Sequence, residues 1–428
     1  MAAVTVVKAI GSTGDFSTLA LWQAGAPADL TTAQKFAAGT FLTATFIQGE
    51  SLTFTGSGAT GKFLDTDSTG AGSGTYLTFG VTAGTPAASD TVSGDSSGAT
   101  CVLSGSALNT GVVWQGQCQN QEFSGINTIV TISGSTNSAT AYKELTTVAG
   151  ASFRDNVNAQ TNALRYNASN GAGIRTVSPT NAVTVSEANF RISKLQLSAT
   201  ADGGRSLGCS QSSLLMDFCI CEGAYRGIST TIGVVGISGG TGHNLRNSVF
   251  VQGASVGQPD HIIGIGAVGT ASFYNDTFVV PTDLNGGTGV ATAAIASTAS
   301  GTVLKNCAFF GLVGTVDPIG TGATVTTSYT DGTDVGANGF TIVPIAGVFQ
   351  NTVNATRDFR LAPGSALIDV GTTDSTNAAH DIVGTSRPQG AAYDVGCWEY
   401  MSASPPAPEW LSHPVGFFHG IGRMGLRG

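Results

Sequence analysis

The chain has 428 residues, of which 60 are glycine and only 11% are charged, where about 25% charged is usual. A net charge of −9 with six lysines leaves no basic patch for nucleic acid. No run approaches the ~18 apolar residues of a membrane span, so the composition points to a low-charge β protein rich in small residues.

The amino terminus, Met1-Ala-Ala-Val-Thr-Val-Val-Lys8, lacks a charged region followed by a long apolar stretch. No secretory signal is expected, and synthesis and folding in a cytosol follow. Asp15-Phe-Ser-Thr-Leu-Ala-Leu-Trp-Gln-Ala24 predicts a short helix capped by Asp15. Asp29 to Gly39 predicts a second, ending on Gly39. Residues 1–47 are therefore read as an amino-terminal cap and the start of the main fold, because an open-ended array of strands must be covered.

Residues 48–112 are almost wholly Gly, Ser, Thr and Ala with scattered aromatics. Gly58-Ala-Thr-Gly-Lys-Phe63 and Gly98-Ala-Thr-Cys-Val-Leu103 resemble each other at a displacement of 40 residues. Apolar pairs such as Leu52/Phe54 favour a small inserted β module of hairpins over a disordered linker. Asp65-Thr-Asp-Ser-Thr-Gly70 starts like a calcium loop, but Tyr76 stands where a bidentate glutamate is needed, so a turn is the better reading.

From Trp114 onward short apolar runs recur between Gly-rich corners, and over 182–314 a pattern returns five times: Ile192/Lys194/Leu197, Leu215/Asp217/Ile220, Leu245/Asn247/Phe250, Phe273/Asn275/Phe278 and Leu304/Asn306/Phe309. Internal similarity at a spacing of roughly 20–50 residues marks a solenoid. Strand-length runs without a 3.6-residue period predict an all-β, right-handed parallel β-helix over 113–356, with Asn and Asp at tight corners. A β-sandwich is the rival, and it explains the repeat less well.

The seven cysteines, at 101, 118, 209, 219, 221, 307 and 397, lack a paired ligand spacing and read as buried thiols. Gly264-Ile-Gly-Ala-Val-Gly269 and Gly420-Ile-Gly-Arg-Met-Gly425 match a dinucleotide motif in letters only. Neither precedes a helix, so no cofactor is expected. Polysaccharide cleavage would need two carboxylates about 5–10 Å apart, or a base with a charge-neutralising partner. Asp217, Glu222, Asp260 and Asp276 are the acids nearest the repeated strands, with Arg226, Arg246 and His261 as possible assistants. Corner and surface roles explain these residues as well as catalysis does, and His243 reads as structural. No catalytic or metal-binding residue is assigned, and Asp217, Asp260 and Asp276 are the first candidates should a glycan be cleaved.

Two resemblances sharpen the expectation. Gly14-Asp-Phe-Ser-Thr-Leu19, Pro27-Ala-Asp-Leu30, Thr131-Ile-Ser-Gly-Ser-Thr136 and Phe153-Arg-Asp-Asn156 with Thr161-Asn-Ala-Leu-Arg-Tyr166 resemble right-handed β-helix proteins of phage and prophage structural regions. Asp358-Phe-Arg-Leu-Ala-Pro-Gly-Ser365, Ile368-Asp-Val-Gly371, Asp381-Ile-Val-Gly384, Arg387-Pro388, Asp394-Val-Gly396 and Trp398-Glu399 are similar to the segment that closes pectate-lyase-like β-helices, here 357–400. This chain has Ser365-Ala366-Leu367 where that family shows Ser-Pro-Ala, and Cys397 where a small residue is usual. The resemblances imply a virion protein assembled in the host cytoplasm, such as a head decoration, head fibre or tail-spike-like appendage. They also imply a homotrimer that contacts a major capsid or tail protein, with a host surface glycan as a further partner. A glycan depolymerase or a glycan-binding adhesin is the alternative on the same scaffold. Residues 401–428, Pro-rich and then aromatic, read as an arm that docks on a neighbour.

Overall fold

The computed structural model describes residues 2–41, 45–67, 72–109, 111–155, 162–201, 203–223, 233–252, 262–265, 270–282, 293–296, 301–312, 317–319, 323–334 and 339–401. The expected arm at 401–428 lies outside them except for Met401, as do Arg226, Asp260, His261, most of the first Gly-rich motif and all of the second.

The fold is all-β, with three parallel sheets visited in rotation. Sheet I has nine strands, beginning with Val4–Ile10 and Val112–Cys118 and ending at Thr324–Thr326. Sheet II also has nine, from Glu122–Gly125 to Thr341–Ile342. Sheet III has seven, from Val130–Ile132 to Asp317–Ile319. From Val112 to Ile319 each strand of sheet I is followed by one of sheet II and one of sheet III, so three strands complete one circuit. A sandwich would pair its strands antiparallel, and these ladders are parallel throughout.

Inward side chains line up in register. On sheet I the column runs Leu145, Ile192, Met216, Leu245, Phe273, Leu304 and Val325. On sheet II it runs Leu197, Cys221, Phe250, Phe278 and Phe309. Phe278 lies 5.0 Å from Phe250 and 4.5 Å from Phe309 with nearly parallel rings, a stack worth about 0.5–1.5 kcal/mol per pair beyond burial.

The amino-terminal cap differs from expectation. The first helix is Leu19–Gly25, capped by Thr18, whose hydroxyl accepts from Leu21 N at 3.2 Å. Asp15 instead accepts from Ala9 N. The helix buries Leu19 and Trp22, and Gly116 makes room: a Cβ there would lie 2.6 Å from the Trp22 ring. The second helix does not form. Asp29 closes a turn by accepting from Thr31 and Thr32, and Gln34–Ala38 is a strand whose Phe36 and Ala38 face a separate core. Alternating burial within a closed ring outweighs helix propensity there.

That ring is a six-stranded antiparallel barrel formed by Gln34–Ala38, Tyr76–Ala83, Thr60–Thr66, Ser51–Thr55, Thr91–Gly94 and Thr100–Ser104. Its first strand lies upstream of residue 48, where the composition changes. The repeated sequences form two equivalent hairpin tips, each held by an acid that precedes the other hairpin. Asp90 accepts from Ser57 Oγ at 2.6 Å and Ser57 N at 2.9 Å. Glu50 accepts from Ser97 Oγ at 2.8 Å and Ser97 N at 2.9 Å. Burial works to raise both carboxyls, but these bonds outweigh it and hold them below their ordinary values. The barrel meets the first circuit through Leu64, which joins the main core, and through Lys8 Nζ–Asp65 at 2.9 Å.

A second core lies outside sheet II. Ile220, Val249, Val251, Val279, Ala308 and Phe310 point away from the circuits and pack against Phe349, Phe359, Leu361, Leu367, Ile382, Val395 and Trp398 of the carboxyl-terminal segment. Strands buried on both faces read as continuous apolar runs, as Val249-Phe-Val251 and Ala308-Phe-Phe310 do.

Candidate functional site

The last six sheet I strands each end at a corner whose residue is left-handed: Lys194, Phe218, Asn247, Asn275, Asn306 and Thr327 have φ between 48° and 62°. At Asp217 the sequence repeat and the strand register differ by one residue. Met216, not Leu215, is in register with Leu245, and Cys221, not Ile220, with Phe250. The corner there is occupied by Phe218, which lies under the Arg154 guanidinium at 3.6 Å. A bulky residue in this region is strained, and that contact holds it.

Displaced from the corner, Asp217 stands on the outward face of sheet I beside Arg246, Tyr274 and Lys305 of the following strands. Its Oδ2 accepts from Arg246 Nε at 2.9 Å and its Oδ1 from Asn247 Nδ2 at 3.1 Å. Burial pushes its carboxyl above the usual range, against the pull of Arg246.

The asparagine corners hold the chain's own carboxyl-terminal segment. Asn247 Nδ2 donates to Asn377 O at 3.0 Å, Asn275 Nδ2 to Asp394 O at 3.4 Å and Asn306 Nδ2 to Thr372 O at 2.7 Å. Thr372 N returns a bond to Asn306 Oδ1 at 2.8 Å, and Cys397 N donates to Thr277 Oγ1 at 3.0 Å. Lys305 adds an ion pair to Asp374 at 3.4 Å. Within the segment, buried Arg387 donates to Asp394 O and Gly396 O and pairs with Glu399 at 3.2 Å. Asp381, Asp394 and Glu399 accept backbone N–H groups around it. Burial raises all three carboxyls, Glu399 to about 7. The acids and arginine of the closing motif thus fasten turns rather than face solvent.

The remaining candidate residues are dispersed. Asp276 has no exposed surface; one oxygen accepts from Ser248 N at 2.8 Å, the other has no partner, and burial pushes the carboxyl well up. A substrate cannot reach it. Glu222 pairs with Arg357 at 2.5 Å on sheet II. His243 is buried with Nε2 3.0 Å from Gly239 O and Nδ1 accepting from Leu214 N, and burial lowers its pKa. None of five concavities among the described residues is lined by two carboxylates, and among the described residues no group of three or more His, Cys, Asp or Glu is placed to hold a metal. In the expected turn, Asp65 pairs with Lys8 and Asp67 accepts from Thr75 N at 2.8 Å; residues 68–70 lie outside the described set. All seven thiols are buried, and burial raises their pKa values.

Sequence reasoning missed the Arg154–Phe218 contact and the clasp role of the corner asparagines, since both depend on partners far along the chain. Comparison with known proteins returned no matching family model, no matching curated protein and no matching solved structure.

Proposed function

We propose that the chain is a structural, surface-exposed component of a tailed-phage particle, a head decoration, head fibre or tail-spike-like appendage on a right-handed parallel β-helix. The observation that carries this reading is the destination of the polar ladder. The corner asparagines hold the closing segment against the sheets instead of lining an open cleft. The candidate acids Asp217 and Glu222 are tied to Arg246 and Arg357. Such an arrangement favours rigidity over turnover. The side barrel and the Pro-rich, aromatic arm at 401–428 are the natural attachments to capsid or tail protein, and side-by-side packing would give a homotrimer.

Light scattering on the full chain and on a chain ending at Met401 tests this. A species at three times 43.0 kDa that dissociates on truncation is expected. A 43.0 kDa species that depolymerises a bacterial surface polysaccharide would replace this reading with the enzymatic one.

A further inference from the structure

The open face of sheet I carries a feature the clasp does not touch. Two adjoining concavities, of about 360 Å³ and about 220 Å³, share Ala139 and Arg191 in their linings. Together they span five successive sheet I strands, from Val112–Cys118 to His243–Arg246, with Tyr142 just before the second of them, a run of roughly 19 Å at ~4.8 Å per strand. Arg191 forms the saddle between them, with its guanidinium 3.8 Å over the Tyr142 ring and Nη2 donating to Ala139 O at 3.4 Å. Thr140 lines one side of the saddle, and Asn189, Ser213 and Asn244 line the other.

The guanidinium at the saddle has a carboxylate as its strand neighbour but is not paired with it. Glu144 is the register neighbour of Arg191, but its Oε2 accepts from Gln115 Nε2 at 2.8 Å, and Arg191 makes no ion pair among the described residues. Neither concavity has a carboxylate in its lining. At the far end, Asn244 Oδ1 has no hydrogen-bond partner. A half-buried guanidinium held over an aromatic ring is a preorganised fork for a carboxylate.

We infer that this groove binds an oligosaccharide bearing carboxylate groups, with Arg191 on the carboxylate, Tyr142 against the sugar and the Asn, Ser and Thr side chains on its hydroxyls. The strands run across the groove with their backbone groups already paired to neighbours in the ladder, so a peptide cannot add as a further strand. Recognition has to come from side chains, and these are polyol-binding types around one cation. The inference rests on the surface exposure in the proposed function and does not depend on the oligomer.

The test is an array of oligosaccharides carrying uronate, sialate or pyruvate carboxylates, each beside its carboxyl-reduced neutral form, probed with the full chain. Binding of at least one acidic glycan is expected, weaker by about tenfold or more for its neutral form, as for loss of a charge-assisted hydrogen bond. Arg191→Gln should bring the same loss with an unchanged melting temperature, while Arg175→Gln on sheet II leaves binding intact. Should Arg191→Gln not fold, Arg191→Lys takes its place and should weaken the acidic glycan while still preferring it to the neutral form. The inference is overturned if acidic and reduced glycans bind alike or not at all, if the Arg191 variant binds normally, or if a poly-glutamate peptide or a single-stranded oligonucleotide binds as tightly. Light scattering on the same samples separates the outcomes: a variant of wild-type mass that binds normally refutes the groove and leaves the structural reading standing.

Discussion

Sheets I and II are built from the same circuits, yet their outward faces have opposite fates. Sheet I turns Arg191, Leu215, Asn244, Ser272 and Val303 outward, all half-buried. Sheet II turns Ile220, Val249, Val251, Val279 and Phe310 outward, and the closing segment buries every one. A parallel ladder therefore leaves the character of its outer face to long-range partners. Where a second layer arrives the face becomes core, and where none arrives it is free for recognition.

The largest expected effect comes from truncations on the two faces of one circuit. Phe310→Ala removes a ring packed edge-on against Phe349 at 5.4 Å and should cost about 3–5 kcal/mol in denaturant unfolding. Val303→Ala on sheet I should change stability by no more than about 0.5 kcal/mol. A loss well above that bound at Val303 would mean that the sheet I face is covered in solution.

An intermediate effect is expected at the clasp. Asn306→Ala deletes the paired bonds with Thr372 and the bond to Asn275. A loss of about 1–3 kcal/mol follows, chiefly from the buried Asn275 left without this donor. Hydrogen exchange should quicken around residues 372–377 and stay unchanged in the barrel. Protection that fell evenly through the chain would argue against a separate clasp.

The smallest effect is a pH slope. Glu399, raised to about 7 by burial, holds a proton in the folded state that the unfolded chain releases near the ordinary 4.5. Across that window the folded state binds more protons, so this group's contribution to stability falls as pH rises. His243, lowered by burial, acts the other way, losing stability as pH falls through 6.5. The difference between wild type and Glu399→Gln isolates the first term: between about pH 5 and about pH 8 the wild-type melting temperature should fall relative to the variant's. Parallel curves would show that Glu399 titrates normally.

Much of the frame is legible in the sequence because its signals are local. Corner asparagines at 247, 275 and 306 adopt left-handed geometry readily, so their spacing marks the circuits. The repeat at 58–63 and 98–103 marks two hairpin tips because each needs the same turn chemistry. The pattern misleads at Asp217, where Phe218 takes a corner that no propensity would assign to it, held by an arginine 64 residues away. The strand at Gln34–Ala38 reads as helical because its partners Tyr76 and Ser104 come much later. The Arg191 groove has no linear signature, since its linings come from strands of successive circuits.

The clasp also makes the closing segment a ruler. Its attachment points meet the corners at 247, 275 and 306 in fixed positions, and Arg154 reaches Asp381 O from an earlier circuit. Removing one whole circuit would preserve every column within the sheets but shift the corners by ~4.8 Å beneath the segment. A repeat array could otherwise lengthen or shorten by duplication and deletion. This one has its number of circuits counted by its own carboxyl-terminal end.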